Sequence, residues 1–298
     1  MNRVFHLNVE ATGSILMPIK NVTVLGAGTM GHGIAHAAIT GGYSTRMYDV
    51  SEAAVAKGRA AIEEIVRKGV ELGKVSSSEA DGILARLSVM TTLPEALADT
   101  DIVIEAAPEK IDLKLALFAQ IEQHAPAAAV IASNTSALSI TELAGSLKNP
   151  SRAAGMHFFN PVHKMKLIEM VQALESAPAT LAAIEEVARR MGKETVLVRE
   201  SPGFITTRVN ASIGNEAFYM LMEGVASARD IDKALKLGLN HPMGPFELVD
   251  LVGLDTRLSI LEYLHRSLGE KYRPCPLLAQ YVKAGRLGRK VGRGVYDY

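Results

Sequence analysis

Short apolar runs rich in β-branched residues alternate with longer amphipathic stretches over the first two thirds of the chain. NVTVLG, STRMYDV, DIVIEAA and AVIASN are runs of the first kind, and GTMGHGIAHAAITGG and SEAAVAKGRAAIEEIVRKGVELGK are stretches of the second. This alternation predicts a parallel β-sheet covered by helices, which is the α/β class of fold. Other runs predict further strands in SVMTT, RAAGMHFF, KLIEMV and ETVLV.

After Arg199 the pattern becomes helical, and no strand pattern returns until the terminal GVYDY. The Ser-Pro-Gly sequence that starts at Ser201 predicts a hinge. Residues 204–223 are apolar on more than one face, which predicts a central helix buried on several sides, partly by a second subunit. We therefore expect an α/β domain over residues 19–200, an all-α domain over residues 201–298, and an N-terminal extension over residues 1–18.

Composition narrows the choice of partners. The 298 residues include 32 basic and 32 acidic side chains, and this balance argues against nucleic acid or an anionic membrane as the main partner. No apolar run approaches the ~18 residues of a membrane span, and the N-terminus lacks a signal-peptide core. The single cysteine, Cys275, fits a reducing compartment. The composition predicts a soluble cytoplasmic protein.

A glycine-rich motif, VLGAGTMG, follows the first predicted strand and opens the first predicted helix. Its GxGxxG spacing permits a tight turn, close approach of the backbone to a pyrophosphate, and close packing of helix on strand. Asp49, at the end of the second strand, is placed to bind an adenosine ribose and would repel the 2′-phosphate of NADP. A glycine-rich turn without a ligand is the alternative. The residues of the turn predicted to bind NAD are Gly26, Gly28, Thr29, Met30 and Gly31.

Two histidines flank the sequence FFNPV, in a run that leaves the sheet where open α/β folds bind ligands. Oxidation of an alcohol by NAD requires a base for the hydroxyl proton, and a neutral imidazole suits this role. If GMHFF folds back on KLIEM around His163, Glu169 lies opposite His157, where a carboxylate can orient the ring. Spacing alone leaves a second interpretation, in which Glu169 is a structural residue paired with Lys164 or Lys166.

Polar residues at other strand ends complete the predicted pocket. Ser136 in ASNTSALSI and Glu109 in IEAAPEK follow apolar strands, although each has a second interpretation as a helix cap. His32 and His36 lie one turn apart on the first predicted helix without an acidic or cysteine partner. We therefore predict that they pack or face solvent, and we predict no metal site.

Several strings together resemble the 3-hydroxyacyl-CoA dehydrogenase family, from about Ile19 to Tyr298. The strings are VLGAGTMGHGIA, VIEAAPE, ASNTSALSIT, GMHFFNPVHKMKLIE, ESPGFITTR, NHPMGPFELVDLVGLD and GRLGRKVGRGVYDY. The resemblance implies a Rossmann-like NAD-binding domain followed by an all-α domain that forms a homodimer. It also implies reversible NAD-dependent oxidation of an L-3-hydroxyacyl-CoA, a short one such as 3-hydroxybutanoyl-CoA, to the 3-oxoacyl-CoA.

The resemblance further implies roles for single residues. His157 matches the family's general base, Glu169 matches its partner, and Ser136 matches the serine that contacts the substrate oxygen. Four residues match positions on the cofactor side: Glu109, Lys114, Asn160 and Lys290.

The substrate side departs from the family pattern at one position. The family reads GF, two residues, then NR, whereas Thr207 precedes Arg208 in this chain. That asparagine contacts the acyl substrate in relatives, so we expect Thr207 to bind substrate more weakly and Asn210, on the same helix face, to compensate.

Recognition of CoA is less defined by the sequence. The candidates for its phosphates are Lys57, Arg59, Arg67 and Lys68, and a solvated helix face paired with Glu63 and Glu64 is the second interpretation.

Two other functions are compatible with the motifs. One is a dehydrogenase of a 3-hydroxy acid that is not a CoA ester, such as a sugar acid or carnitine. The other is a non-catalytic NAD-binding protein, which the set of His157, Glu169 and Ser136 argues against, because a sensor needs no positioned base.

Overall fold

An eight-stranded sheet forms the first part of the protein. The computed structural model describes residues 18–298, so the predicted N-terminal extension, apart from Pro18, lies outside the described residues. The strands are β1 (Asn21–Leu25), β2 (Ser44–Tyr48), β3 (Leu87–Met90), β4 (Ile102–Glu105), β5 (Val130–Ser133), β6 (Ala153–Phe158), β7 (Leu167–Gln172) and β8 (Glu194–Arg199).

Helices lie between the strands and continue after the sheet. Those within the sheet region are α1 (Thr29–Thr40), α2 (Glu52–Glu71), α3 (Ser77–Leu84), α4 (Leu93–Leu97), α5 (Ile111–His124), α6 (Ile140–Ala144) and α7 (Pro178–Arg190). Those after it are α8 (Thr206–Met222), α9 (Ala228–Gly238), α10 (Pro245–Val252), α11 (Leu254–Leu268) and α12 (Pro276–Lys283). The change from strands to helices lies between β8 and α8, and the domain boundary placed at Ser201 stays a prediction.

The strand order is β3-β2-β1-β4-β5-β6-β7-β8. The pairs are parallel except for β6 and β7, which run antiparallel. The order reverses between β1 and β4, and ligands of doubly wound sheets bind in the crevice at such a point. The fold is therefore Rossmann-like, as the sequence predicts.

Two apolar cores cover the sheet, one on each face. Val24 and Ile34 belong to the core that joins α1, α2 and α7 to the sheet. Leu25 and Phe118 belong to the core on the other face, where α4, α5 and α6 pack. Because successive residues of β1 point to opposite faces, one short strand contributes to both cores.

The region after β8 is helical, with a separate core that includes Phe218, Phe246 and Leu261. α8 packs against α9, α10, α11 and α12. Its opposite side exposes Val209 and Glu216, so a single chain buries α8 on one broad face and not on several. The prediction of a strand in GVYDY is wrong, because Asp297 alone among these five residues pairs, in an isolated bridge with Arg293. Among the described residues, no helix is long and apolar enough to cross a membrane.

Candidate active site

The glycine-rich turn between β1 and α1 leaves an open space at the N-terminus of the helix. Gly26 has a φ of +106°, and Gly31 packs so closely that a Cβ atom there would lie 1.7 Å from the carbonyl oxygen of Gly26. In contrast, a Cβ atom on Gly28 would meet no atom within 4 Å. Gly28 caps α1 without a side-chain hydrogen bond, so the first N–H groups of the helix point into this space. Thr29 and Met30 occupy the first turn. The turn therefore fits a pyrophosphate.

Asp49 follows β2 directly and contacts the same turn. Its Oδ2 accepts a hydrogen bond from the Ala27 N–H at 2.9 Å, and its Oδ1 accepts one from the Ser51 N–H at 3.1 Å. Each carboxylate oxygen keeps a second acceptor direction for a ribose hydroxyl. No Lys or Arg follows in the sequence until Lys57, and the Asp49 carboxylate would repel a 2′-phosphate.

His157 and Glu169 lie directly opposite each other on β6 and β7. His157 Nδ1 and Glu169 Oε2 are 2.8 Å apart, and both side chains are buried. The register predicted from spacing is confirmed, and Glu169 forms no ion pair with Lys164 or Lys166 in the described structure. Within residues 18–298 no hydrogen bond involves His157 Nε2, which leaves this nitrogen available to a substrate hydroxyl.

The Glu169 carboxylate also accepts hydrogen bonds from the start of α8. The N–H groups of Ile205 and Thr206 donate to Oε1 at 3.2 and 2.9 Å, and the Thr206 hydroxyl donates to Oε2 at 3.1 Å. Burial acts to raise the pKa of Glu169, but the hydrogen bonds from His157 and the Thr206 N–H outweigh it and hold the pKa below its usual value. An ionised Glu169 requires the proton of His157 on Nδ1, so Nε2 is the basic nitrogen. The sequence interpretation missed Thr206.

Glu109 holds the loop that carries Ser136. Its Oε1 accepts hydrogen bonds from the Ser136 N–H at 2.8 Å and the Thr135 hydroxyl at 2.5 Å. α5 has no side-chain cap, and Ser139 caps α6, so neither Glu109 nor Ser136 is the helix cap of the alternative interpretation. In the described structure the Ser136 hydroxyl has no partner, and its side chain is half-buried.

A buried network supports this loop from below. Glu105, fully buried at the end of β4, accepts hydrogen bonds from Lys114 Nζ at 2.6 Å and the Ser133 hydroxyl at 2.5 Å. Lys114 is 1% exposed and lies 3.5 Å from Glu109. Its ammonium therefore offsets the negative charge of both carboxylates. Because Lys114 is buried, its link to the crevice is the contact with Glu109. A carboxylate that ends the apolar strand IVIE is a sequence signal that would have found Glu105.

The remaining predicted residues are less closely tied to the site. Asn160 is exposed in the loop after β6, and Thr207 and Asn210 are half-buried on α8 without side-chain hydrogen bonds among the described residues. Lys290 Nζ binds Asp255 at 2.6 and 2.7 Å, and its hydrogen bonds among the described residues go to this partner alone. The structure thus does not bring Lys290 to the glycine-rich turn, and its predicted cofactor role stays a prediction.

The CoA candidates on α2 are mostly occupied. Arg59 pairs with Glu63, Lys68 pairs with Glu64, and Arg67 pairs with Glu71, all one helical turn apart. Lys57 is exposed, and no ion pair is found for it among residues 18–298. This arrangement matches the solvated helix face of the second interpretation more closely than a preformed phosphate site.

The histidines of α1 have no ligand geometry. His32 Nδ1 lies 2.8 Å from the Gly28 carbonyl oxygen, and burial lowers the pKa of His36 to about 4. In the part of the chain that the structure describes, no group of three or more potential ligands is arranged to hold a metal ion.

Two family models match almost all of the described chain. The NAD binding domain of 3-hydroxyacyl-CoA dehydrogenase matches residues 21–201, and the C-terminal domain of 3-hydroxyacyl-CoA dehydrogenase matches residues 203–298.

Named relatives share much of the sequence. A probable 3-hydroxybutyryl-CoA dehydrogenase of Bacillus subtilis is 47% identical over 95% of this chain and 98% of its own length. The 3-hydroxybutyryl-CoA dehydrogenase of Bradyrhizobium diazoefficiens is 43% identical over 94% of this chain and 96% of its own. The crystal structure of (S)-3-hydroxybutyryl-CoA dehydrogenase from Ralstonia eutropha is similar with a TM-score of 0.91 and 44% identity, covering 94% of this chain and 99% of the other. The chain belongs to the 3-hydroxyacyl-CoA dehydrogenase family.

Proposed function

We propose that this protein catalyses the reversible, NAD-dependent oxidation of a short-chain L-3-hydroxyacyl-CoA, with 3-hydroxybutanoyl-CoA as substrate, to the 3-oxoacyl-CoA. The observation that carries the proposal is the buried pair of His157 and Glu169 on adjacent strands, in a chain of this family. The choice of substrate is supported by the names of the relatives, which include three 3-hydroxybutyryl-CoA dehydrogenases.

His157 acts as the general base. Its Nε2 removes the proton of the C3 hydroxyl, and the charge that develops on the ring is stabilised by the Glu169 carboxylate at Nδ1. In the reducing direction the protonated ring returns this proton to the oxygen. The Ser136 hydroxyl donates to the same oxygen, and Glu109 fixes the loop from which it does so.

The cofactor is held by the turn between β1 and α1. Gly26, Gly28, Thr29, Met30 and Gly31 surround its pyrophosphate, and Asp49 binds the adenosine ribose. Bound NAD supplies the hydride acceptor at the substrate C3 atom. On the nicotinamide side, Glu109, Asn160, Lys114 and Lys290 are the residues assigned by family motif.

The acyl part of the substrate contacts Thr207 and Asn210 on α8, and the CoA phosphates need cations. Lys57 is the candidate on α2 that is exposed and carries no ion pair in the described structure. The protein acts in the cytoplasm as a homodimer formed by the helical region, which exposes Leu237 and Leu251.

Reduction of acetoacetyl-CoA by NADH tests the proposal. We expect the purified protein to consume NADH with acetoacetyl-CoA and to use NADPH poorly, because of Asp49. His157→Gln should lower kcat by about 10²- to 10⁴-fold, the usual contribution of general base catalysis. His124→Gln, in the last turn of α5, is the matched histidine control and should leave kcat unchanged.

Free acetoacetate and dehydrocarnitine separate this function from the non-CoA alternatives. Turnover of either at a rate comparable to that of the CoA ester would contradict an acyl-CoA substrate. Full activity of His157→Gln would contradict the assigned base.

A further inference from the structure

We infer that Thr206 is a positioning residue of this active site, whose hydroxyl fixes the Glu169 carboxylate that orients His157. The inference rests on the proposed function, in which His157 is the base. Thr206 is the first residue of α8, and it donates to both oxygens of Glu169, through its N–H at 2.9 Å and its hydroxyl at 3.1 Å.

The four donors around Glu169 occupy its acceptor directions completely. Oε1 accepts from the N–H groups of Ile205 and Thr206, and Oε2 accepts from His157 Nδ1 and the Thr206 hydroxyl. An ionised carboxylate has about four acceptor directions, so none is left for water, and Glu169 is fully buried. Both rotation of the carboxylate and its protonation are therefore disfavoured.

Only one of these contacts to α8 depends on a side chain. The two backbone N–H groups are present whatever residue occupies position 206, whereas the hydroxyl requires Thr or Ser. The Thr206 hydroxyl and the His157 imidazole donate to the same oxygen of Glu169, Oε2. Thr206 therefore sets how much negative charge Oε2 presents to His157.

The contact between Thr206 and Glu169 also links the partner of the base to the helical region. Glu169 lies on β7, while Thr206 begins the helix whose next residue, Thr207, is the proposed contact of the acyl group. Two adjacent threonines in one turn thus contact the catalytic carboxylate and the substrate.

Thr206→Val tests the role, because valine keeps the shape of threonine and removes only the hydroxyl. We expect kcat to fall by roughly 10- to 100-fold, the effect of losing one hydrogen bond to a charged group, with the KM for NAD unchanged. Without the hydroxyl, Oε2 presents more charge to the protonated ring. The acidic limb of the pH profile of kcat/KM for 3-hydroxybutanoyl-CoA oxidation should therefore move to higher pH. Thr206→Ser should restore both values.

Thr256→Val is the matched control, since Thr256 is an exposed threonine in the first turn of α11. It should change neither kcat nor the pH profile. A purely structural role for Thr206 would lower thermal stability without moving the acidic limb.

The Glu169 carboxyl provides a readout that does not need turnover. In protein labelled with ¹³C-glutamate, the pKa of Glu169 should be higher in Thr206→Val than in the wild type, and near the wild-type value in Thr206→Ser. An unchanged Glu169 titration together with an unchanged pH profile in Thr206→Val would overturn the inference. A wild type without acyl-CoA activity would instead refute the proposed function, and the Glu169 titration would still decide whether Thr206 holds the carboxylate.

Discussion

At the scale of single residues, Glu169 shows how hydrogen-bond donors stabilise a buried negative charge in place of a Lys or Arg side chain. Its side chain has no solvent exposure, and its donors are one imidazole, two backbone N–H groups and one hydroxyl. Hydrogen bonds to charged groups contribute more to stability than neutral ones, so this carboxylate belongs to the fold as well as to the chemistry.

Glu169 should make the free energy of unfolding depend on pH. Its pKa is lower in the folded protein than the value of about 4.3 in an unfolded chain, so its ionised form stabilises the fold above this pH. The contribution is lost as the pH falls through the folded pKa. We expect Glu169→Gln to lower the free energy of unfolding by about 2 kcal/mol at pH 7, from the net value of charged hydrogen bonds, and by clearly less near pH 3.

Urea titrations at several pH values measure this difference. Glu175→Gln, an exposed glutamate after β7, is the control and should show little effect at either pH. An effect of Glu169→Gln that is equal at pH 7 and pH 3 would contradict the stabilising role of the charge.

At the scale of elements, the glycines of the β1–α1 turn differ in what they leave room for. Gly31 is enclosed by the backbone of Gly26, whereas Gly28 faces open space. Gly31 allows the helix to pack closely on the strand, and Gly28 allows a ligand to approach the backbone.

Alanine substitutions should separate these two roles. Gly31→Ala should lower the melting temperature by roughly 5 °C or more, because its Cβ would overlap the Gly26 carbonyl and cost several kcal/mol. Gly28→Ala should leave the melting temperature of the cofactor-free protein nearly unchanged and weaken NADH binding about tenfold or more. Calorimetry and fluorescence titration with NADH measure the two quantities. Wild-type NADH affinity in Gly28→Ala would contradict the assignment of the turn.

Strand and helix patterns predicted much of this architecture, because strong hydrophobic periodicity and short connections determine which elements form. The opposition of His157 and Glu169 was also predictable, since it follows from a local fold-back around His163. Contacts between distant elements were not predictable. The start of α8 contacts Glu169 although 37 residues separate them in the sequence, and no local pattern indicates such a contact. Glu105 and its network likewise depend on the packing of α5 against β4 and β5.

At the scale of the whole molecule, the helical region exposes apolar side chains that one chain leaves uncovered. Leu237 is 76% exposed and Leu251 is 50% exposed. Such side chains on one region fit an interface between copies of this chain.

Light scattering should give the mass of a dimer for the wild type. The double variant Leu237→Glu and Leu251→Glu should shift the protein toward the monomer, because charges buried in an apolar interface are unfavourable. Leu174→Glu, at a more exposed leucine after β7, should leave the dimer intact. A wild-type monomer at micromolar concentration would contradict the proposed assembly.

The antiparallel pairing of β6 and β7 determines which changes of chain length this site can tolerate. Side chains along a strand alternate between the two faces of the sheet, so a one-residue insertion within β7 would turn Glu169 away and bring Ile168 or Met170 opposite His157. Residues added to the loop near Lys164 would leave the register unchanged. We therefore expect length variation among related chains at the tip of this hairpin and not within its strands.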